Sequence, residues 1–291
     1  MRCKILITGA AGVLGRDLIR RLGAQNVVGL VRPPNALHDV LPANNVYSLS
    51  DFYSNKIPFD DIAVVVHCAF ARSQDGASLA QSIDFSRDVF HAAVSNNIPA
   101  VINISSQSIY GAYREIPSTE DGPINPMDMY AVSKYACEKL AAEISRGTKT
   151  KITNIRLSSL IGPHFPERVV NKMISAAINT GTLKVVGGNQ VFSFLDITDA
   201  SDAIVTMLKT SPKHWRDTYN IATSQHYTIL EMANTIADVV GNTDIDFTPS
   251  ETHQSVKNDT ARFAHDFNWR AQKTLRDSVQ NIYAHIKTAS K

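Results

Sequence analysis

The stretch Lys4-Ile-Leu-Ile-Thr8-Gly9-Ala-Ala-Gly12-Val-Leu-Gly15 decides the fold. A short apolar run ends at Thr8, a glycine loop follows at once, and an amphipathic helical pattern then occupies Val13–Leu22. Glycines here let the chain turn tightly and bring its backbone close to a pyrophosphate, whose charge meets the positive end of the helix. The spacing is G-x-x-G-x-x-G rather than the G-x-G-x-x-G of the general dinucleotide fingerprint. Its place between a strand and a helix gives it weight, because a glycine triplet alone also describes a plain tight turn. Gly9, Ala11, Gly12, Val13, Leu14 and Gly15 are therefore candidate dinucleotide contacts.

Outward from this loop, β-branched runs recur at Lys4 to Thr8, Val27 to Val31, Val46 to Leu49, Ala63 to Cys68, Ala100 to Ser105 and Ile152 to Ser158, with helical stretches between them. Such alternation predicts βαβ units on a mostly parallel sheet buried on both faces, an α/β doubly wound Rossmann domain over residues 1–162. Beyond Pro163 the pattern predicts helices at Arg168 to Asn179, Ala200 to Thr210, Ile229 to Val240 and Leu275 to Lys287, with strands at Leu183 to Val186 and Thr218 to Ile221. Residues 163–291 thus read as a smaller α/β substrate lobe, with Phe194 to Ile197 expected to rejoin the sheet and Pro249 to Asp259 expected to be a mobile polar loop.

Composition narrows the partners. The 291 residues carry 29 Lys and Arg against 27 Asp and Glu, a net charge of +2 with no basic run, which argues against a nucleic-acid partner. Cys3, Cys68 and Cys137 are an odd number without metal-ligand spacing, and their apolar surroundings predict burial in a reducing compartment. No apolar run reaches the roughly 18 residues of a membrane span, and the first strand begins too early for a signal peptide. The expectation is a cytoplasmic protein without metal.

An NAD site usually ends its second strand in an acid that binds the adenosine ribose. Here that strand runs into Arg32-Pro33-Pro34. A cation at this point meets a 2′-phosphate, so Arg32 favours NADP, with NAD the alternative if Arg32 is only an exposed loop residue. Ser50-Asp51-Phe52 follows the third strand, where Asp51 reads either as an acceptor for the adenine amino group or as a turn former. The fourth strand ends His67-Cys68-Ala69-Phe70-Ala71, over which the dinucleotide is expected to lie; His67 itself reads as structural.

Tyr130-Ala-Val-Ser-Lys134 opens a helical pattern and sets a phenol and an ammonium four residues apart on one face. A phenol of ordinary pKa about 10 is a poor base at neutral pH, but an adjacent ammonium and a nicotinamide cation favour its ionised form. Tyr130 then exchanges the alcohol proton while hydride moves, and Lys134 holds both the nicotinamide ribose and Tyr130. Upstream, Ser105-Ser106-Gln-Ser108-Ile-Tyr110-Gly111 leaves the fifth strand at its carboxyl edge, where a hydroxyl orients a substrate oxygen.

With these motifs, and with Arg156-Leu157-Ser158-Ser159-Leu-Ile-Gly162-Pro163, Asp199-Ala-Ser-Asp202, Tyr219-Asn-Ile-Ala222 and Asn268-Trp269, the chain resembles the extended short-chain dehydrogenases/reductases. The resemblance is to their nucleotide-sugar epimerase, dehydratase and 4-keto-reductase group and covers nearly the whole chain. It implies Ser106 as the orienting hydroxyl, Tyr130 as acid/base, Lys134 as its partner, and a homodimer. Ser105 and Leu157 complete the expected cofactor contacts, and Ser106, Ser108, Ser159, Arg168, Lys172 and Phe192 form the expected substrate set.

Departures from the group's pattern are Asp84 and Ser159 where Asn is common, and Phe192 where an Arg commonly meets the diphosphate. Either Arg168 or Lys172 serves the diphosphate, or the substrate is not a nucleotide sugar. No Thr with an acidic pair replaces the Ser106 neighbourhood, which disfavours a 4,6-dehydratase. The expected activity is a 4-keto-sugar nucleotide reductase. The alternatives are a 4-epimerase that retains NAD, a reductase of a non-sugar carbonyl, and a cofactor-sensing regulator without turnover.

Arg32→Ala tests the cofactor expectation. A charge-assisted bond of about 1.5 to 3 kcal/mol corresponds to a roughly ten- to hundredfold rise in the NADPH dissociation constant, with NADH barely changed. Calorimetric titration of both cofactors measures it, and equal losses for the two would remove Arg32 from the site.

Overall fold

A computed structural model describes residues 3–32, 37, 39–112, 116–250 and 255–289. Strand β1 (Lys4–Thr8) leads through the glycine loop into helix α1 (Val13–Leu22). Then follow β2 (Val27–Val31), β3 (Val46–Ser48), α2 (Leu49–Tyr53), β4 (Ile62–His67), α3 (Gly76–Ser95), β5 (Ala100–Ser106), α4 (Met129–Ser145) and β6 (Lys151–Leu157). The later elements are β7 (Ser159–Ile161), α5 (Val169–Thr180), β8 (Thr182–Gly187), β9 (Val191–Phe192), β10 (Phe194–Asp196), α6 (Ile197–Leu208) and β11 (Thr218–Ile221). The chain closes with β12 (Tyr227–Thr228), α7 (Ile229–Val240), β13 (Asp244–Pro249), α8 (Ala261–Phe267) and α9 (Leu275–Ala289). No helix among the described residues is long and apolar enough to cross a membrane.

Two compact, interleaved units result. One comprises Met1–Ile109, Ile124–Arg156 and Ile204–Tyr219, the other Tyr110–Pro123, Leu157–Ala203 and Asn220–Lys291. The expected doubly wound α/β sheet is present, with seven strands in the order β11-β6-β5-β4-β1-β2-β3. Pairs β1–β2, β1–β4, β2–β3 and β4–β5 are parallel. Every residue of β2 is buried, as a strand covered on both faces requires. Leu6, Val28 and Val65 from the sheet meet Val89, Phe90 and Ala93 of α3 and Ala141 of α4 in one apolar core.

The chain runs from β1 to β2 and β3 on one side, and from β4 to β5 and β6 on the other, so its direction reverses between β1 and β4. Two glycines make that junction. Gly9 has φ +66°, and a Cβ there would lie 2.8 Å from the Ala69 nitrogen just beyond β4. Gly15 sits in the first turns of α1, where a Cβ would lie 2.6 Å from the Gly9 oxygen and 2.7 Å from the Ala10 Cα. Helix and loop touch backbone to backbone, a contact that admits no side chain.

In the second unit, α5, α7 and α9 bury Val170, Ile174, Met232, Ile236, Val279 and Ile282 together with Leu183 and Val185 of β8. Thr228 and Glu231 form a capping box that starts α7. Three expectations are corrected here. Phe194–Asp196 does not rejoin the main sheet; it pairs with Ser159–Ile161. It stops short because the Asp196 carboxylate accepts from the Thr198 N–H at 2.8 Å and starts α6, and Thr218–Ile221 takes the sheet edge instead. The expected mobile loop begins inside β13, which pairs parallel with β8, and the Ser255, Val256 and Asp259 N–H groups all bond backbone carbonyls. Residues 251–254 of that stretch lie outside the described residues. Cys3, expected buried, is exposed, whereas Cys137 is buried.

Gly15→Ala should lower unfolding stability by about 1 to 3 kcal/mol, because the obstructing atoms are backbone and cannot rotate away. Urea unfolding reads the loss; an unchanged midpoint would mean that α1 moves aside at no cost.

Candidate active site

At the reversal between β1 and β4 the sheet's carboxyl edge opens into a cavity of about 410 Å³. Doubly wound sheets place their ligands at such a switch point. Gly9, Ala11 and Gly12 line it from the glycine loop, Leu30, Val31 and Arg32 from the end of β2, and Cys68, Ala69, Phe70 and Ala71 from beyond β4. Arg32 is exposed at its rim. Leu14 and Gly15 are buried behind the loop, and Gly12, which lines the cavity, is the N-cap of α1 and gives that helix no side-chain cap.

Helix α3 contributes Ser78, Gln81, Ser82 and Phe85 to this wall. The sequence reading missed these four, although their spacing of three, one and three residues marks one helical face. Asp51 does not line the cavity. Its carboxylate accepts from the Ser48 N–H at 2.9 Å and the Ser48 hydroxyl at 2.6 Å and pairs with Lys56, contacts that hold its pKa down at about 2. Phe52 is buried in the core. Leu49, three residues before Phe52, is the one that reaches the cavity from α2.

Beneath the cavity floor runs a directional chain of hydrogen bonds. The Ser86 hydroxyl donates to the Ser82 carbonyl at 2.7 Å, so it accepts from His67 Nε2 at 2.9 Å. His67 Nδ1 is then an acceptor for the Thr8 hydroxyl at 2.7 Å, and Thr8 Oγ1 accepts the Ala69 N–H at 3.3 Å. Burial, with the Lys134 charge, takes the His67 pKa down to about 3. His67 is neutral and structural. Burial likewise pushes the Cys68 thiol up to about 12, which leaves it without thiolate character.

The Asp128 carboxylate caps α4 by accepting the Ala131 N–H at 2.7 Å. One turn apart behind that cap stand Tyr130 and Lys134. Lys134 is 5% exposed and its Nζ donates to the Ile104 carbonyl of β5 at 2.7 Å. The same Nζ lies 3.9 Å from the centroid of the Phe70 ring and 5.9 Å from that of Tyr130. Phe70 and Tyr130 meet edge to face, with centroids 6.0 Å apart. Burial brings the Lys134 pKa down to about 8, against the opposing pull of Cys137, Cys68 and Glu138.

A further turn along α4, Glu138 binds Arg156 of β6 through two bonds of 3.0 and 2.7 Å and accepts the Ser105 hydroxyl at 2.5 Å. All three are buried. Ser105 thus spends its hydroxyl on the scaffold, and the next residue, Ser106, turns outward at the end of β5. Ser106 Oγ accepts from the Ser108 N–H at 3.2 Å and the Ser108 hydroxyl at 2.9 Å.

The expected substrate residues Ser159, Arg168, Lys172 and Phe192 belong to the second unit, as does buried Leu157. The Ser159 N–H donates to the Ser193 carbonyl at 3.3 Å. Arg168 immediately precedes α5, 5.7 Å from the Phe165 ring, and Lys172 is exposed one turn later. Phe192 stacks on Phe194 at 6.1 Å and packs against the unit's apolar core.

Known proteins share this architecture. The UDP-N-acetylglucosamine 4-epimerase from Bacillus cereus superposes with a TM-score of 0.84 over 98% of this chain and 99% of its own, at 23% identity. Among curated sequences, a UDP-glucose 4-epimerase of Lactobacillus helveticus is 27% identical over 273 residues, 82% of each chain. A dTDP-D-glucose 4,6-dehydratase of Bos taurus is 24% identical over 264 residues, 82% of this chain and 74% of the relative. The NAD dependent epimerase/dehydratase family matches residues 5–222, carrying the glycine loop, the Ser106 strand end and the Tyr130–Lys134 helix, and this chain belongs to that family.

Proposed function

We propose that this enzyme transfers hydride between a nicotinamide dinucleotide and carbon 4 of a nucleotide-activated sugar, with the net reaction of a 4-keto-sugar nucleotide reductase. The observation that carries this reading is the composition of the β5 end. Ser106, Gln107 and Ser108 offer hydroxyls and an amide there and no carboxylate, beside the Tyr130 and Lys134 helix. A dehydratase needs an acid and a base to strip a neighbouring carbon and expel its hydroxyl; hydride exchange at an alcohol needs only one proton carrier.

The cavity suits a dinucleotide. A Cβ at Gly9 or Gly15 would collide with backbone at the point where the pyrophosphate approaches, and the uncapped α1 terminus offers amides to its charge. When bound, the nicotinamide supplies the hydride donor or acceptor. Tyr130 Oη holds the proton given to or taken from the sugar oxygen. The Lys134 ammonium favours the Tyr130 phenolate by its charge. Ser106 accepts both of its bonds from Ser108, which leaves its own proton for the sugar oxygen. Exposed Arg32 supports NADPH as the reductant, and Arg168 with Lys172 supports the diphosphate.

A 4-epimerase that keeps its NAD is the second reading, favoured by the similarity to 4-epimerases of Lactobacillus helveticus and Bacillus cereus. Incubation with NADPH or NADH and a panel of 4-keto and 4-hydroxy nucleotide sugars separates the two. A reductase consumes reduced cofactor mole for mole with a 4-keto substrate. Interconversion of 4-hydroxy epimers by protein that carries NAD through purification would replace the reductase with the epimerase.

Tyr130→Phe should reduce kcat by about 10² to 10⁴-fold with dinucleotide affinity kept, since it removes the proton carrier and little else. Retention of a tenth of the rate would remove Tyr130 from the chemistry. Lys134 gives a pH signature as well. Its folded pKa of about 8 lies below its ordinary 10.5, so the unfolded chain binds the extra proton between those values and stability due to this group rises with pH across that window. Wild type should therefore gain about 3 kcal/mol on Lys134→Met from pH 8 to 10.5 in denaturant unfolding. A difference independent of pH would mean that the Lys134 pKa is ordinary.

A further inference from the structure

Lys134 is asked to bond a ribose hydroxyl of the cofactor, yet its ammonium is already covered. One donor is spent on the Ile104 carbonyl at 2.7 Å, and the Phe70 ring sits 3.9 Å away, in van der Waals contact with the charge. The cavity ends on this ring: Phe70 lines it, and neither Lys134 nor Tyr130 does. The open space therefore matches the adenosine and pyrophosphate half of a dinucleotide, bounded by the glycine loop, Arg32 and α3. The ring stands where the second half must enter.

We propose that Phe70 is the positioning residue of the nicotinamide half-site, a side chain that caps the Lys134 ammonium until the dinucleotide's second ribose displaces it. This rests on the reading of Lys134 as a cofactor contact. The displacement is a side-chain rotation, because the backbone on either side of Phe70 is pinned: the Ala69 N–H bonds Thr8 Oγ1 at 3.3 Å and the Ala71 N–H bonds Ser82 Oγ at 3.0 Å. The Tyr130 ring, edge-on to Phe70 at 6.0 Å, loses that contact in the same movement. Full-length binding thus surrenders a cation–π contact that binding of the adenosine half leaves intact.

The test compares ADP with NAD, and their 2′-phosphorylated forms, on wild type, Phe70→Leu and Phe70→Ala. ADP lacks the second ribose and reports the cavity alone. Loss of the ring should tighten the dinucleotide relative to ADP by about twofold to thirtyfold, the worth of the lost cation–π contact. An unchanged ratio of dinucleotide to ADP affinity in both variants would overturn the cap while leaving the cofactor site in place. Failure of wild type to bind ADP or any dinucleotide would overturn the cofactor reading itself, and the cap with it.

Discussion

The buried ion pair between Glu138 and Arg156 is the constraint on which the site depends. Both side chains are almost wholly withdrawn from water, at 5% and 6% exposure, and each charge is tolerable only because the other is there. The pair joins α4 to β6, and the Ser105 hydroxyl on the same carboxylate joins both to β5. Lys134 and Tyr130 lie one and two turns before Glu138, so one clamp fixes the azimuth of the helix and aims both groups at the β5 end. Removing either partner of such a pair leaves a lone buried charge, commonly at a cost of about 3 to 5 kcal/mol.

The same economy appears on the other side of the reversal. Thr8, His67 and Ser86 tie β1, β4 and α3 together through a chain in which every proton has one direction. His67 carries no charge at any ordinary pH, so the cation beside the Tyr130 ring is Lys134. Polar groups hold the scaffold from within.

Much of this was legible in the order of residues. Val27–Val31, apolar throughout and valine at three of five positions, reads as a doubly covered strand, and the glycine loop marks the first turn. Where the reading slipped, local chemistry outweighed pattern. Val46 to Leu49 looks like a strand throughout, but Ser48 with Asp51 is a helix-starting box, so Leu49 opens α2 and Asp51 spends its carboxylate there. Pro249 to Asp259 reads as a polar loop from its composition, yet Pro249 still belongs to β13, a strand with five of its six residues exposed and little to bury. The run Cys68-Ala69-Phe70 reads as a bed for the cofactor, and periodicity has no means to say that the Phe70 ring turns onto a lysine sixty-four positions away. Glu138 and Arg156 are eighteen residues apart, and only the fold makes them neighbours.

The late return of β11 has a consequence for the chain as it is made. Strand β6 is finished at Leu157, but its outer neighbour is Thr218–Ile221, so the 60 residues from 158 to 217 must emerge before the sheet's edge is paired. At a synthesis rate of about 5 to 20 residues per second, that leaves a strand with open backbone groups for roughly 3 to 12 seconds on the ribosome. An edge of this kind is a template for pairing with any passing strand. The nascent protein is therefore most vulnerable to misassembly after its first six strands are made, and it is a stretch of four residues some three-quarters of the way along the chain that seals it.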